Sequence, residues 1–303
     1  MSEPSQSPRV AALVLNWRLV DVTLQCLDDL ARCGYPALDV LVMDNGSGDG
    51  SAERLEQAGA ATEVMAFPEN IGYCAAMNRG FLWARERGAE LVLFLNNDVR
   101  LPEGFLEPMA ALLKGDPSVA AVTPTILRPD GRVWCQGGAI AFHPNMLKLR
   151  GEGGEPAPVT AGPVAVDFIT GACALYRLAD LDDIGGLDES YFMYWEDVEL
   201  GWRLRARGRA LVWLPWVRVT HISSASSGGG RSTMRKYMSG LNSVRYLKAH
   251  GTPVQWCGFL LFDVLLWPVT WMGGTGLQAM LAKGRGILAG LTGRRVSVAD
   301  VSR

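Results

Sequence analysis

Residues 91–99 read LVLFLNNDV, a fully apolar run followed by two carboxamides and a carboxylate. Such a run is typical of a strand that is buried on both faces of a sheet. Three further strands are predicted upstream of it, at residues 10–15, 38–43 and 63–67. Segments with helical spacing lie between them, at residues 22–30, from residue 51, and at residues 74–87. This alternation predicts an α/β fold, a mainly parallel Rossmann-like sheet with helices on both faces.

The second half of the chain is less regular. Short strands are predicted at residues 119–123, 164–169, 173–176, 210–214 and 217–221, and a helix at residues 196–207. Residues 151–163 are expected to form a loop, and residues 223–230 (SSASSGGG) a mobile one. We therefore expect one main domain over residues 1–230, with a regular half at about 8–100 and a less regular half at 101–230. Residues 231–303 are expected to form a helical C-terminal extension.

Composition excludes several classes of protein. The chain has 303 residues, of which 49% are hydrophobic and 20% charged, which excludes disordered and collagen-like chains. Its six cysteines form no CxxC pair, so reduced, buried thiols are expected rather than a disulfide framework. The apolar run at residues 10–15 is too short for the core of a signal peptide, which favours a cytoplasmic location.

Charge is unevenly distributed along the chain. The net charge is −2, which suggests no nucleic-acid partner, yet residues 231–303 hold ten Lys and Arg against two Asp and Glu. Residues 256–274 are apolar except for Asp263 and include Pro268, which disfavours simple spanning and favours an interfacial or re-entrant segment. Trp256, Trp267 and Trp271 would lie at the headgroups, and Lys283, Arg285, Arg294 and Arg295 at the phosphates. The segment would then bind peripherally to the inner face of the cell membrane. The alternative is a buried helix that packs on the main domain.

Polar residues follow each of the four predicted parallel strands. Asn16 follows the first strand, Asp44 and Asn45 the second, residues 69–72 the third, and residues 96–98 the fourth. Ligands of open parallel sheets bind at this edge. Each residue alone is more often a turn residue, but four sets in register favour a binding site. Neither a G-x-G-x-x-G nor a P-loop pattern is present, which disfavours NAD-dependent and P-loop chemistry.

Four acidic or basic side chains suggest chemistry. Asp98, beside two carboxamides, could hold a hard divalent cation that bridges a diphosphate. Asp197 and Glu196 follow an aromatic run, so one could serve as a general base, although acidic residues also simply favour a helix start. His221 precedes the Gly-rich segment, where a metal or phosphate role competes with an ordinary structural one.

Seven segments carry a resemblance to a known family. They are VLNW (14–17), VMDNGSGDGS (42–51), ENIGYCAAMNRG (69–80), FLNNDV (94–99), TGACALYR (170–177), FMYWEDVELGWRLRARG (192–208) and VTH (219–221). In this order they resemble the inverting family-2 glycosyltransferases of the GT-A fold, in the subgroup of rhamnosyltransferases of cell-wall and O-antigen assembly. The resemblance covers about residues 8–250. It implies that residues 1–230 form the catalytic domain, with a nucleotide half at about 8–100 and an acceptor half at about 101–230.

The resemblance implies a role for each matching residue. The nucleotide-sugar site would contain Asn16, Asp44, Asn45, Asn70, Gly72, Asn78 and Asn97, with Asp44 and Asn78 at the nucleoside. Asp98 and His221 would bind Mg²⁺ or Mn²⁺, although Asn96 replaces the first acid of the D-x-D motif. Asp197 would be the catalytic base, and Trp195, Glu196 and Gly171 would line the acceptor pocket. The Q-x-x-R-W motif of processive synthases is absent, which favours single additions.

The expected activity is inverting, metal-dependent glycosyl transfer. The resemblance favours L-rhamnose from dTDP-L-rhamnose as the donor sugar, ahead of UDP-galactofuranose and UDP-N-acetylhexosamines. The basic, apolar extension favours an acceptor saccharide linked to a polyprenyl diphosphate. Two alternatives remain. A nucleotidyltransferase would need a Gly-rich basic loop where residues 16–18 read NWR, and a non-catalytic sugar-binding or scaffold protein would not need Asp98, Asp197 and His221.

Overall fold

The computed structural model describes residues 7–141, 147–222, 232–267, 276–294 and 296. The strands are β1 Val10–Asn16, β2 Leu38–Asp44, β3 Glu63–Ala66, β4 Leu91–Asn96, β5 Val99–Arg100, β6 Val119–Leu127, β7 Val133–Cys135, β8 Gly138–Ile140, β9 Leu147–Leu149, β10 Val164–Ala165, β11 Cys173–Arg177 and β12 Ala210–His221. The α-helices are α1 Val20–Arg32, α2 Ser51–Ala58, α3 Tyr73–Glu86, α4 Leu106–Gly115, α5 Leu178–Asp183, α6 Glu196–Ala206, α7 Thr233–His250, α8 Pro253–Phe259 and α9 Leu277–Thr292. A 3₁₀ turn, Glu189–Tyr191, precedes α6, and a π-helix, Leu260–Leu265, continues α8.

The central sheet has the strand order β10-β12-β6-β11-β4-β1-β2-β3. Strands β3, β2, β1 and β4 are parallel, and β12 is parallel to β6. Strand β11 joins the two parallel groups because it runs antiparallel to both β4 and β6. The predicted α/β fold with a mainly parallel sheet is thus confirmed.

Helices cover both faces of the sheet, as the alternating side chains of β1 illustrate. Ala11 and Leu13 belong to a core cluster with residues of α3, whereas Val10, Ala12 and Val14 belong to a second cluster with residues of α1 and α4. All five side chains are fully buried. A strand with both faces buried has to be apolar throughout, which is why its sequence shows no polar alternation.

Several predicted elements differ from the structure. The strands at 210–214 and 217–221 are one strand, β12, because its pairing with β6 continues after a bulge between Leu214 and Arg218. The strand at 164–169 is reduced to Val164–Ala165, whose partner is β12 at the sheet edge. Five of the six cysteines are buried, but Cys257 is exposed. The segments 223–230 and 268–274, the second of which includes Trp271, lie outside the described residues, as does Arg295.

The helices after residue 231 pack on the body and on each other. Val244, Tyr246 and Leu247 of α7 belong to the same core cluster as α3 and the sheet. Helices α7 and α9 touch closely because α9 has glycines at the contact, so that a Cβ at Gly286 would lie 2.0 Å from the Tyr237 carbonyl oxygen. Within the described part of the chain, no helix has both the length and the apolar character that membrane crossing requires. The predicted boundary at residue 230 stays a prediction.

Candidate active site

A cleft of about 1370 Å³ opens at the carboxyl edge of the parallel strands. One wall consists of the residues that follow β1, β2 and β4; we call Trp17, Asn45, Asn96, Asn97 and Asp98 the sheet-edge wall. The facing wall consists of residues 192–197, which we call the turn wall. Asp98 and Asp197, which are 99 positions apart in the sequence, therefore line one cleft.

Asp98 and His221 lie side by side in the sheet-edge wall. Strand β5 pairs with the end of β12 so that Val99 faces His221, and the Ile222 amide donates to the Asp98 carbonyl at 2.8 Å. The His221 Nε2 atom lies 2.9 Å from Asp98 Oδ1, and both side chains are buried. The indole of Trp134 packs edge-on against the imidazole, with ring centroids 4.6 Å apart.

Asp98 and His221 have donor atoms that suit a divalent cation. No cluster of three or more His, Cys, Asp or Glu is found among the described residues. Two protein ligands still fit a cation such as Mg²⁺, which is commonly bound by one or two carboxylates and completed by substrate phosphates and water. The adjoining cleft has room for a diphosphate, so the residues present fit a cation that is shared with a substrate.

Asn16 and Asp44 lie behind the sheet-edge wall rather than at its surface. The register of β1 and β2 places Asn16 opposite Asp44, and Asn16 Nδ2 donates to Asp44 Oδ2 at 2.7 Å. Ser47 adds its hydroxyl and its backbone amide to the same carboxylate, at 2.6 and 3.0 Å. Thr23 bridges Asn16 and Asn97, because its hydroxyl donates to Asn16 Oδ1 and accepts from Asn97 Nδ2. This buried network holds together the ends of β1 and β2 and the residue after β4, on the side away from the cleft.

Asn45, Asn70 and Gly72 connect the two walls. Asn45 Nδ2 donates to Asn70 Oδ1 at 3.1 Å, and Asn70 Oδ1 accepts from the Gly72 amide at 2.9 Å. Gly72 has a φ of +87°, and a Cβ there would lie 2.7 Å from the Phe192 ring. The Tyr73 amide donates to the Phe192 carbonyl at 2.7 Å. Asn45 and Asn70 line the cleft, whereas Gly72 lies outside its lining and brings α3 against the turn wall.

The structure does not bring Asn78 to the cleft. Its Oδ1 accepts from the Leu187 amide, and its Nδ2 donates to the Leu187 carbonyl, both at 2.9 Å. The same Nδ2 also donates to Glu189 Oε1 at 3.0 Å. This amide holds the segment that leads into the 3₁₀ turn, and the nucleoside contact of Asn78 stays a prediction.

The turn wall has an unusual backbone. Among the described residues, positive φ at a residue other than glycine occurs at Arg18, Phe192, Tyr194 and Trp195. Three of these four directly precede Glu196 and Asp197, the first residues of α6. Left-handed backbone at bulky residues costs on the order of 1–3 kcal/mol each and tends to occur at functional sites. The strain reorients the chain so that the carboxyl groups of Glu196 and Asp197 face the cleft.

The two carboxyl groups of the turn wall titrate unusually. Burial raises the pKa of Asp197 above the ordinary range of an aspartate, while the Val198 amide and the Arg235 charge oppose that rise. Burial and the charge of Asp197 raise the pKa of Glu196 further. The Asp197 Oδ1 atom accepts from the Val198 amide at 2.8 Å, whereas Glu196 Oε2 has no hydrogen-bond partner among the residues that the structure describes. When the two carboxyl groups share one proton, Glu196 is therefore protonated and Asp197 carries the negative charge.

The predicted acceptor-pocket residues lie beside this pair. Gly171 and Trp195 line the cleft together with Glu196. A Cβ at Gly171 would lie 2.7 Å from Tyr73 Oη, so glycine at this position leaves room for the phenol. The Tyr73 hydroxyl is buried near Glu196, and burial raises its pKa well above the usual value.

Sequence reasoning missed three contributors to the site. Trp134 and Arg235 line the cleft, and Asn242 of α7 donates to carbonyls of the turn wall. Trp134 and Arg235 lack a motif that could have revealed them. Asn242 has a detectable signal, because it lies four positions from both Met238 and Tyr246 and hence on the same apolar face of α7, where an amide needs a buried partner.

The family of the chain follows from a comparison with known proteins. The family model described as "Glycosyl transferase family 2" matches residues 18–185, which is more than half of the chain. This chain belongs to glycosyl transferase family 2. The match includes Asp98 and ends before Asp197 and His221, so the family-2 assignment is independent of the turn wall.

One curated relative is close enough to compare over most of both chains. It is the N-acetylglucosaminyl-diphospho-decaprenol L-rhamnosyltransferase of Mycobacterium tuberculosis, with 30% identity over 215 residues. The aligned part covers 63% of this family-2 chain and 68% of the relative. The assignment to the family predicted from sequence is confirmed.

Solved structures show the fold of this family-2 chain. The mannosyltransferase PcManGT of Pyrobaculum calidifontis, in complex with GDP-Man and Mn²⁺, superposes with a TM-score of 0.58 at 16% identity, over 99% of this chain and 79% of that one. S. aureus TarS 1-349 in complex with UDP-GlcNAc superposes with a TM-score of 0.61 at 16% identity, over 93% and 79% of the two chains. Both superpositions extend over more than nine-tenths of this chain, and the predicted GT-A fold is confirmed.

Proposed function

We propose that this glycosyltransferase transfers a sugar, with inversion, from a nucleotide diphosphate sugar to a hydroxyl of a saccharide acceptor. The observation that carries the proposal is that Asp98, His221 and Asp197 line one cleft large enough for both substrates. The best donor is dTDP-L-rhamnose, supported by 30% identity to a relative named as an L-rhamnosyltransferase. That relative's name also supports an acceptor linked to a polyprenyl diphosphate.

Asp197 is the proposed general base. The acceptor oxygen attacks the anomeric carbon while the bond from that carbon to the diphosphate oxygen breaks, and the leaving group keeps the electron pair. The acceptor proton moves to the Asp197 carboxylate, which carries the charge of the pair because Glu196 holds its proton more tightly. A base with a pKa closer to neutrality transfers protons more effectively than an ordinary aspartate. A single displacement inverts the anomeric configuration.

Asp98 and His221 are the proposed residues that hold Mg²⁺ or Mn²⁺. When bound, the divalent cation supplies charge neutralisation for the departing diphosphate. His221 is kept in place by the edge of Trp134, and Asp98 by the β5–β12 pairing. The sheet-edge wall carries two carboxamides beside Asp98, Asn96 and Asn97, which are neutral and do not repel a diphosphate.

The C-terminal helices are the proposed contact with a membrane surface at its cytoplasmic face. Large exposed apolar side chains are concentrated on α8, the π-helix and α9: Val254, Leu260, Leu261, Val264, Leu265, Leu277, Leu281, Leu288 and Leu291. Asp263 and Lys283, from the same helices, form a buried ion pair at 2.5 Å and line the cleft. The apolar surface thus adjoins the cleft, which suits an acceptor that has a polar head and a lipid tail.

Vesicle flotation tests this contact. The double variant Leu265→Glu and Leu281→Glu should bind vesicles of phosphatidylglycerol and phosphatidylethanolamine less than the parent chain does. The exposed Leu82 of α3 provides the matched control, because Leu82→Glu makes the same change outside the C-terminal helices. Equal flotation of all three proteins would contradict the membrane contact.

The activity is tested with dTDP-L-rhamnose, UDP-galactofuranose and UDP-N-acetylglucosamine, each with N-acetylglucosaminyl-diphospho-polyprenol as acceptor. The assay is run with Mg²⁺, with Mn²⁺ and with a chelator. Release of nucleoside diphosphate together with a glycosylated product would support the proposal. Conversion of the donor, with added pyrophosphate, into a nucleoside triphosphate and a sugar 1-phosphate would indicate nucleotidyl transfer instead, and donor binding without turnover a sugar-binding protein. Full activity in the chelator would contradict the metal assignment.

A further inference from the structure

The turn wall is held by one buried amide from a helix that follows it in the chain. Asn242 is fully buried on α7, and its Nδ2 lies 3.2 Å from the Tyr191 carbonyl oxygen, 2.9 Å from that of Met193 and 2.7 Å from that of Tyr194. These carbonyls flank the residues with positive φ. The amide thus serves the Met193 and Tyr194 carbonyls, whereas the Tyr191 carbonyl also accepts from the Met193 backbone amide.

Arg245, one turn further along α7, fixes the orientation of this amide. Its Nη1 donates to Asn242 Oδ1 at 2.8 Å and also to the Ser190 carbonyl. Because a guanidinium can only donate, Oδ1 has to face Arg245 and Nδ2 has to face the turn. The guanidinium also lies over the Tyr191 ring, 5.5 Å from its centroid. The helix therefore presents a preoriented donor to the turn wall.

Local contacts do not explain why the turn keeps its strained form. Trp195, the residue before α6, is left-handed, and no side chain caps the helix start. Removing the Asn242 amide would leave buried carbonyl groups without donors, which is costly, so the backbone would relax toward ordinary φ values. Relaxation at 192–195 would move the next two residues, Glu196 and Asp197.

We propose that Asn242 is a positioning residue that holds Phe192, Tyr194 and Trp195 at positive φ and thereby places the Asp197 carboxylate in the cleft. The catalytic consequence rests on the proposed function, since it takes Asp197 as the base. The consequence for the backbone does not, because it concerns only the conformation of the turn. The C-terminal helix α7 is accordingly part of the catalytic machinery as well as of the core.

The test compares Asn242→Ala and Asn242→Asp with Lys248→Met. The aspartate variant keeps the shape of the side chain but loses its donors. Lys248 lies on the same helix, where its Nζ donates to the Gly290 and Leu291 carbonyls and ties α7 to α9. Lys248→Met thus removes a tertiary contact of α7 without touching the turn wall.

Hydrogen exchange measures the turn directly and needs no turnover. Amide exchange of a peptide spanning residues 190–200 should speed up in both Asn242 variants and stay at the parent rate in Lys248→Met. The measurement is made with the full chain, with and without UDP or dTDP. Faster exchange in the Asn242 variants together with a parent chain that turns over no donor would contradict the proposed function but not the positioning role.

Kinetics then separates positioning from a general loss of stability. Misplacement of a reacting group by about 1 Å can cost roughly 10²-fold in rate, so kcat should fall by about that factor while KM for the donor stays within about threefold. The acid limb of the pH profile of kcat/KM should also move to lower pH, because a loosened turn exposes Asp197 to water. Lys248→Met should change neither kcat nor the limb.

Three results would overturn the proposal. The first is an Asn242 variant with parent exchange at residues 190–200. The second is a variant with parent kcat and parent acid limb. The third is a proportional loss of kcat in Lys248→Met, which would indicate a general effect of α7. If the alanine and aspartate variants do not fold, Asn242→Ser, which keeps one donor, is measured instead, and its failure to fold would also overturn a specific positioning role.

Discussion

The sheet-edge wall and the turn wall of the cleft are built in different ways. Polar residues of the sheet-edge wall follow parallel strands, and the register of β1 with β2 and β4 brings the ends of those strands together. The turn wall has no such scaffold, since its carbonyls bond to Asn242, 48 residues beyond Tyr194. The topology of the parallel sheet is enough to bring the residues of the sheet-edge wall together. The turn wall needs a specific tertiary contact, which Asn242 provides.

Asp197→Asn is expected to have the largest effect, and it tests whether the turn wall carries the chemistry. The amide keeps the shape of the side chain and cannot accept the acceptor proton, so kcat should fall by at least about 10²-fold. Nucleotide binding, followed by calorimetry with UDP or dTDP, should stay at the parent level because the sheet-edge wall is unchanged. Turnover and product anomer are measured together.

Asp182→Asn is the matched control for this substitution. Asp182 pairs with Arg85 on the surface, away from the cleft, so the same chemical change should leave kcat unaltered. If Asp197→Asn kept the parent kcat, the base would have to be sought elsewhere in the cleft. If it lost nucleotide binding instead, Asp197 would belong to the donor site.

Gly72→Ala tests the joint between the walls and should have the next largest effect. The added Cβ would lie 2.7 Å from the Phe192 ring, and the φ of +87° is unfavourable for alanine. We expect a loss of about 1–3 kcal/mol in the free energy of unfolding, measured by urea denaturation. Turnover should fall more than this loss explains, because Phe192 would be pushed out of the strained turn.

The Gly59→Ala variant is the control that separates the steric clash with Phe192 from the energetic cost of a positive φ at alanine. Gly59 also has a positive φ, +61°, but no atom lies within 4 Å of a Cβ placed there. Its substitution should therefore destabilise the protein less and leave kcat at the parent value. Equal effects of the two substitutions would show that the walls are not coupled through Phe192.

The sequence predicts the sheet-edge wall better than the turn wall. Apolar runs predicted β1, β2 and β4, and the residues after them were expected at one edge, where Asn45, Asn97 and Asp98 lie. His221 was predicted beside Asp98 through the family resemblance alone, since nothing local indicates that β12 ends next to β5. The surroundings of Asp197 could not be predicted, because left-handed φ at Phe192 is imposed by tertiary contacts against local preference.

Two examples show the limit of what a residue type predicts. The nucleoside contact of Asn78 stays a prediction, and in this structure its carboxamide bonds to the Leu187 backbone of a neighbouring loop. The strand at 164–169 was overestimated because hydrophobic residues there pack into the core without a continuous strand partner, as Phe168 does. In both cases the residue type was informative about burial or bonding but not about the partner.

The smallest expected effect is the dependence of kcat/KM on pH, which compares the two carboxyl groups of the turn wall, Glu196 and Asp197. Burial raises the pKa of Asp197 to about 6, so a base at this position is protonated and inactive at low pH. The kcat/KM value should therefore rise with pH through about 6 and level off above it, rather than rise near the ordinary aspartate pKa of about 4. The measurement is a rate profile from about pH 5 to 8 at constant ionic strength and saturating cation.

The Glu196→Gln variant shows which carboxyl group titrates in the acid limb, the rise of kcat/KM near pH 6. Glu196 has the higher pKa of the two and is still protonated while Asp197 ionises, so replacing a neutral acid by a neutral amide should leave the limb near pH 6. The kcat of Glu196→Gln should change only a few-fold, as an acceptor-pocket residue would allow. A limb that disappeared in this variant, or moved by more than one pH unit, would assign the titration to Glu196 and exchange the roles of the two neighbours.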